Sequence, residues 1–333
     1  MKLKILLCTI LISMFYLQAV AESLPAEAQK MLDDLGAPDV QESNNNKKLL
    51  CLYGGSKKIA VSQLEGATVF SSEFNNCKEP GSIRDGYFEV IVRNNTIVGQ
   101  SARRSINGEL FEAVQAGDLA KVRTLIKNKA DVNYTEGIPT AEEGTIEEWT
   151  PLMSAVVSGK VEMVRLLIKS GAWVNYMNSR AITAIWLAAN NGHADIVKVL
   201  VANKAYINNR NSDDITPLMA AAMNGHYNIV KFLLAVKADL NLVHREGDSA
   251  LMFALANGRS DIARLLIDSG ANINIQNKYG VTALIIAVAE DNEEIVRKLI
   301  DKNVNVSAKI DGGKTALDIA IAKGNNNIIM MLR

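Results

Sequence analysis

The chain has few of the side chains on which most catalytic sites depend. Its 333 residues include three histidines and three cysteines. No Cys or His spacing typical of a metal site occurs, and no glycine-rich phosphate loop precedes a helix pattern. Aromatic residues make up 5% of the sequence, and 36 basic residues balance 36 acidic ones. These shortages predict a protein that is not an enzyme, that needs no cofactor or metal, and that does not bind nucleic acid.

One long apolar run occurs, from Ile5 to Leu17, and it is typical of a targeting segment. Two lysines precede it, and Ala19-Val20-Ala21 follows it as a small–x–small cleavage site. The run is shorter than the roughly 20 residues that a membrane-spanning helix needs, so a retained anchor is the lesser alternative. We therefore expect residues 1–21 to be a cleaved signal peptide and the chain to be exported without a stable membrane anchor.

Cleavage would leave two cysteines, Cys51 and Cys77. An even pair in an exported chain predicts a disulfide bond, and two unpaired thiols are the alternative. Asn94, Asn133 and Asn305 begin N-x-S/T sequons, and the last two lie in repeat turns, where a glycan would crowd the stacking. This favours the bacterial periplasm as the destination, with secretion as the alternative.

Residues 22–104 contain two segments of different character. Residues 22–48 are interpreted as a short helix followed by a polar linker, and residues 49–104 as a small β-rich domain. The candidate strands are 49–53, 58–62, 67–70, 87–93 and 96–99, with a hairpin turn at Asn94-Asn95. A domain of this size buries little apolar surface, so the Cys51–Cys77 bond would help to stabilise it.

From residue 150 onward the sequence repeats every 33 residues without an insertion. The units begin with TPLM, TAIW, TPLM, SALM, TALI and TALD at positions 150, 183, 216, 249, 282 and 315. An earlier unit begins with GELF at position 108, one period plus nine residues upstream. A fixed period of this length predicts stacked helical units, a solenoid without a single deep core.

Within each unit the same residue types recur at the same positions. Counted from the first residue of the unit, the sixth is alanine and the eighteenth is leucine in all seven units. The alanine predicts that two helices approach each other closely. The threonine that begins the unit predicts an N-cap, and the mid-unit glycine predicts the turn between the two helices. Asp291 replaces that glycine in the sixth unit, so 282–314 is predicted to be the softest region.

These motifs resemble the ankyrin repeat, with its T-P-L-x-x-A start, mid-unit glycine and G-A-x-V-N close. The resemblance covers about residues 105–333. It implies a mainly α-helical solenoid, a helix–turn–helix and a β-turn finger in each unit, and binding to other proteins. Two positions depart from the family pattern. The fourth usually holds histidine but is apolar here in all units except the last, and Lys129, Lys204, Lys237 and Asn303 replace the glycine that ends the second helix.

The resemblance implies that positions five, eight and nine line a concave face. Large apolar residues occur there or beside it, and they predict an exposed apolar stripe that binds a partner protein. The alternative is that neighbouring units bury them. The candidate residues are Trp186, Leu187, Met219, Met223, Met252, Phe253 and Ile286.

The nine-residue insertion lies within Tyr134–Trp149, in the first finger. Its acids and the tryptophan at its end predict an acidic finger for a basic partner, with a tolerated surface loop as the alternative. These residues are Glu136, Glu142, Glu143, Glu147, Glu148 and Trp149.

The second helices carry a basic row at the sixteenth position, and acids stand three residues earlier in most units. This pattern predicts i,i+3 ion pairs on a solvated face rather than a binding site. His193 and His226 share one position after the mid-unit glycine, which predicts a packing role.

Together these features predict an exported, monomeric protein that binds another protein through its concave face and fingers. It would act as a scaffold, a protector or an inhibitor of its partner, including an immunity-type protein. A secreted effector that binds a host protein is one alternative. Another gives residues 49–104 a ligand-binding or enzymatic role, with the repeats as a targeting device. Ankyrin recognition has no readable code, so the sequence does not name the partner.

Overall fold

The structure, a computed structural model, describes residues 56–64, 67–74, 86–93, 96–139 and 146–333. The expected signal peptide, the helix and linker of 22–48, strand 49–53, Cys51, Cys77, Glu142 and Glu143 lie outside these ranges. The chain divides into two compact units between residues 146 and 147.

The first unit contains an antiparallel sheet of four strands in chain order. The strands are β1 (Ser56–Leu64), β2 (Ala67–Phe74), β3 (Gly86–Arg93) and β4 (Thr96–Arg104). Arg93 pairs with Thr96, so the strands on either side of Asn94-Asn95 form the predicted hairpin. The strands run further than the sequence predicted, because the backbone ladder continues through Ser, Lys and Arg residues whose β propensity is low.

One helix pair follows the sheet in the same unit. It consists of α1 (Ile106–Ala116) and α2 (Leu119–Lys127), and a short strand β5 (Glu136–Pro139) comes after it. Ser105 separates β4 from α1, and its hydroxyl accepts the N–H of Gly108 at 3.0 Å. This cap begins the helix directly after the sheet.

The second unit starts in strand β6 (Ile146–Trp149) and continues as six helix pairs. The first helices pack on one another in series, and the second helices do the same, so the unit has two helical layers. The pairs are α3 (Pro151–Val157) and α4 (Val161–Lys169), α5 (Ala184–Asn190) and α6 (Ala194–Ala202), α7 (Pro217–Asn224) and α8 (Tyr227–Ala235), α9 (Ala250–Ala256) and α10 (Ser260–Asp268), α11 (Ala283–Ala289) and α12 (Glu293–Asp301), and α13 (Ala316–Lys323) and α14 (Asn326–Leu332).

The predicted N-caps are confirmed in all six of these repeats. In each, the hydroxyl of the first residue accepts the N–H of the fourth residue at 3.2–3.4 Å. Pro151 and Pro217 occupy the first turn, where a missing N–H costs nothing. The periodic threonine or serine therefore sets where each first helix begins.

The periodic alanine sets how closely the helices pack. All seven alanines are at most 3% exposed, and Ala155, Ala188 and Ala221 have no exposed surface. The eighteenth-position leucines of α4, α6, α8, α10 and α12 are likewise fully buried. The core of the second unit is therefore a seam between its two layers, with alanine on the first helices and leucine on the second helices.

Adjacent repeats are also linked at the turn between the two helices. His226 Nε2 lies 3.0 Å from the carbonyl oxygen of Asn190, and His193 Nε2 lies 3.2 Å from that of Val157. A Cβ at Gly192 would approach the His226 ring to 2.7 Å. The glycine therefore supplies both a left-handed backbone, with φ of 80°, and room for the next repeat's histidine.

The residues that replace glycine at the end of the second helix do adopt the left-handed conformation. Lys129, Lys204, Lys237 and Asn303 have φ between 57° and 70°, and Asp291 has φ of 52°. A backbone of this kind costs a lysine about 1–2 kcal/mol, whereas asparagine and aspartate adopt it more readily. These positions store strain that the glycine-ended repeats avoid.

Candidate functional site

Five consecutive first helices contain no charged residue. The sequences of α3, α5, α7, α9 and α11 are PLMSAVV, AIWLAAN, PLMAAAMN, ALMFALA and ALIIAVA. Each of the second helices packed against them carries at least one lysine or arginine. Helices that are apolar all round are usually buried. We call the partly exposed surface of these five helices the first-helix face.

Apolar side chains remain accessible on the first-helix face. Val157 is 40% exposed, and Ala256 and Ala289 are exposed at the ends of α9 and α11. Among the predicted binding residues, Trp186, Met223, Phe253 and Ile286 are half-buried. The face thus offers partly covered large side chains beside exposed small ones.

Three of the predicted stripe residues belong to the core instead. Leu187 is 5% exposed, and Met219 and Met252 are each 1% exposed, so the prediction that they form an accessible stripe is wrong. The fourth residue of each unit lies in the capped first turn, and the close helix spacing turns Met219 and Met252 inward. Leu187 lies between Ser154 and Ala220, the fifth residues of the two neighbouring units. Because both of these side chains are small, the larger Leu187 side chain can be buried between the helices.

Phe253 is held from the finger side by a histidine. The rings of Phe253 and His244 meet edge to face, with centroids 5.0 Å apart. His244 Nδ1 accepts the backbone N–H of Asp248 at 3.0 Å, which places the proton of the neutral ring on Nε2. Most other fingers have asparagine at this position. The sequence alone did not identify this contact, although the repeat register places His244 beside the next first helix.

Successive fingers are joined by ion pairs along one edge of the face. Each acid belongs to one finger and each base to the next. The positive and negative charges along this edge therefore neutralise one another, and the edge does not form a patch of a single charge sign. The pairs are Arg180–Glu147 at 2.8 Å, Arg245–Asp213 at 2.8 Å and Lys278–Glu246 at 3.7 Å.

Glu147 is not an exposed acid of the first finger. It is 7% exposed, and its carboxylate accepts Arg180 Nη1 at 2.8 Å and Trp149 Nε1 at 3.2 Å. A buried carboxylate is costly unless it is paired, and these donors satisfy it.

Two other described residues of the predicted acidic finger remain accessible to different degrees, since Trp149 is half-buried and Glu148 is exposed. Partial burial raises the pKa of Tyr176, and the Glu148 carboxylate raises it further.

The basic row on the second helices forms two of the i,i+3 ion pairs that the sequence predicted. Arg165 lies 3.7 Å from Glu162 and Lys198 lies 3.0 Å from Asp195. Arg264 differs, because it pairs at 2.8 Å with Glu294 of the next repeat instead of with an acid of its own helix. These exposed pairs contribute little stability, and they leave this face solvated and neutral.

Two exposed aromatic residues that share one repeat position were not identified from the sequence. Trp173 is 58% exposed and Tyr206 is 62% exposed, and both occupy the twenty-fourth position of their repeats. Trp173 stacks on Tyr176 with ring centroids 6.4 Å apart. A comparison of every position across the repeats would have found this pair, since the other units have Asp or Asn there.

Across the parts of the chain that the structure covers, no three His, Cys, Asp or Glu side chains are grouped in a way that could hold a metal ion. Among the same residues, no helix combines the length and the apolar character needed to cross a bilayer.

A comparison with family models places the array among known proteins. The model described as ankyrin repeats (3 copies) matches residues 110–211, 185–277 and 269–333, which together cover more than half of the chain. A comparison with curated proteins gave no match. With its capped helix pairs, alanine seam and family match, the chain belongs to the ankyrin-repeat family.

Proposed function

We propose that this protein is an exported binding module that holds another protein against its first-helix face and fingers, and so acts as a scaffold, a protector or an inhibitor of that partner. Ankyrin repeats in general mediate protein–protein interaction and are typically non-enzymatic. The observation that carries the proposal is the run of five uncharged first helices that keep apolar side chains accessible.

The physical argument concerns the cost of removing water. Charged surface is expensive to desolvate, whereas the first-helix face exposes Val157, Ala256 and Ala289 and partly exposes Phe253. Large, partly buried aromatic and methionine side chains are also the types that anchor protein interfaces. The second-helix layer presents paired charges, which favour solvent over a partner.

Export to the periplasm is supported by the apolar run of residues 5–17 and the small–x–small site before Glu22. Fractionation of the source cells tests it. Recovery of the processed chain in the periplasm supports a protector or inhibitor. Recovery outside the producing cell would favour the effector alternative.

Affinity capture with the full chain tests the binding role, and a matched pair of variants tests the face. Ala256→Glu adds a charge at the last residue of α9 on the first-helix face. Ala235→Glu adds the same charge at the last residue of α8, an exposed position of the second layer. We expect the wild type and Ala235→Glu to retain one stoichiometric protein, and Ala256→Glu to lose it.

Circular dichroism of both variants checks that the fold persists. Equal capture by Ala256→Glu and the wild type would remove the first-helix face from the proposal. If the wild-type chain retains no protein in its own compartment, the binding role itself is wrong.

A further inference from the structure

We infer that the partner presents an amphipathic α-helix to the first-helix face and that the helix contacts the face through an uncharged apolar stripe. This rests on the proposed function and adds the chemistry and length of the bound segment.

The first argument is charge. No acidic or basic residue occurs in α3, α5, α7, α9 or α11, so a charged partner side chain set on these helices would lose water without gaining an opposite charge. Such burial is costly. Charge returns at Glu290, after α11, and again at Asp318 and Lys323 in α13. The uncharged face therefore has a defined end.

The second argument is hydrogen bonding. An extended segment would bring unpaired backbone N–H and C=O groups onto the face, and each needs a partner. Two side-chain amides at the turn edge already donate to other groups of the protein. Asn224 Nδ2 donates to Asn190 Oδ1 and to the Ala220 carbonyl, both at 3.0 Å, and Asn257 Nδ2 donates to the Phe253 carbonyl at 2.8 Å. A helix satisfies its own backbone, so it suits this face better than a strand.

The third argument is length. Packed helices lie about 8–10 Å apart, so the four spacings between five first helices span about 32–40 Å. At a rise of 1.5 Å per residue, a helix of about 24 residues covers that distance. Two or three turns would reach only part of the face.

The surface relief also fits a helix. Phe253 and Ile286 are half-buried, while Ala256 and Ala289, three residues further along the same helices, are exposed and small. Large side chains of a docked helix would fit over the alanines and pack beside Phe253 and Ile286. Met223 can adjust its shape to the incoming side chains. Polar side chains of the docked helix would remain in solvent.

A synthetic peptide series tests the inference with the full-length chain. The main probe has about 24 residues, leucine on one helical face and Glu–Lys pairs on the other. Three peptides serve for comparison: one of half the length, one with the same composition in scrambled order, and one with a lysine in the centre of the leucine stripe. Fluorescence anisotropy of labelled peptides measures binding.

We expect the main probe to bind and each comparison peptide to bind about tenfold more weakly or worse, since tenfold corresponds to about 1.4 kcal/mol. Binding of the main probe should change little between low and high salt, because no charged contact is involved. The Ala256→Glu variant should weaken binding by about tenfold or more, and Ala235→Glu should leave it unchanged.

Several results would overturn the inference. Equal binding of the scrambled peptide, strong weakening by salt, no loss in Ala256→Glu, or no binding of the main probe at millimolar concentration would each do so. If a captured protein is nevertheless lost in Ala256→Glu, the proposed function stands and only the helical, uncharged segment is wrong. If the wild-type chain captures no protein either, the proposed function fails with it.

Discussion

The two helices of each repeat are built from the same kind of short segment and yet follow different rules. First helices of the second unit have seven or eight residues, and in α3 to α11 they carry no charge. Second helices mostly have nine residues and are amphipathic, with buried leucine inward and charged residues outward. The second layer thus presents charged side chains to solvent, whereas the first layer stays uncharged, and the proposed binding role rests on this difference.

The core also differs between the layers. On the first helices a fully buried alanine fixes the spacing, whereas on the second helices a fully buried leucine fills the space. The same seam should therefore respond in opposite ways to a change of side-chain size. A larger side chain in place of the buried alanine and a smaller side chain in place of the buried leucine should both destabilise the protein.

The largest effect is expected when the second layer loses a leucine. Leu233→Ala in α8 removes a fully buried side chain and should cost about 2–5 kcal/mol, as large-to-small core changes do. Leu234→Ala, one residue further and half-buried, serves as the matched control and should cost clearly less. Urea unfolding followed by circular dichroism gives both values. Equal costs would mean that the leucine seam is not the core of the second layer.

The next largest effect is expected at the turn that joins the two layers. Gly192→Ala should cost about 1–2 kcal/mol through its left-handed backbone. The clash of the new methyl group with the His226 ring, 2.7 Å away, should add about 1 kcal/mol. Gly270→Ala has a similar φ of 88° and no atom near the added methyl, so it should show the backbone cost alone.

Thermal or chemical unfolding measures these costs, and a double mutant isolates the contact. In a His226→Ala background, Gly192→Ala should lose its extra cost and match Gly270→Ala. If the extra cost persists without the histidine ring, the histidine does not explain why the turn needs glycine.

A somewhat smaller effect is expected when the first layer gains volume. Ala221→Leu in α7 adds apolar surface at a position with no exposed area and should destabilise by about 1–3 kcal/mol, because the neighbouring helices must move apart. Ala235→Leu at the exposed end of α8 should change stability by less than about 0.5 kcal/mol. A stabilising Ala221→Leu would show that spacing does not limit the first layer.

Much of the fold was predictable because its causes are local and repeat. Thr150 and its equivalents cap helices, the sixth-position alanines are buried and the mid-unit glycines turn the chain, and each of these depends on a few neighbouring residues. The 33-residue register carries that local information from repeat to repeat. The polar ends of the strands were missed because backbone pairing with a neighbour, and not side-chain propensity, extends them.

The candidate binding face was less predictable because the exposure of its side chains depends on the neighbouring repeats. Leu187 is buried since Ser154 and Ala220 are small, while Phe253 stays half-exposed beside His244. Glu147 pairs with Arg180, 33 residues later, and no pattern within one repeat indicates such a pair. Both features require side chains of adjacent units to be compared at matching positions.

The smallest effect on stability is expected in α13, the first helix of the last repeat. Unlike α3, α5, α7, α9 and α11, this helix contains charged residues. In α13 the fourth residue is Asp318, whose carboxylate accepts the backbone N–H of Thr315 at 2.8 Å and its hydroxyl at 2.7 Å. The bond from the Thr315 backbone, followed by that from its side chain, lowers the pKa of Asp318 below its usual value. A hydrogen bond from Lys323 is the main cause of a lowered pKa at Asp291.

The direction of the pH effect follows from these shifts. The folded chain binds a proton at Asp318 less readily than the unfolded chain, whose pKa is near 3.8. The stabilisation is therefore complete above that value and is lost as the pH falls through the lower pKa of the folded state. Amide hydrogen exchange of α13 and α14 should show less protection as the solution is acidified through this range. In Asp318→Asn, the part of the lost protection that depends on Asp318 should disappear. If the pH profile of the variant instead matches that of the wild type, the Asp318–Thr315 cap does not contribute to the stability of the last repeat.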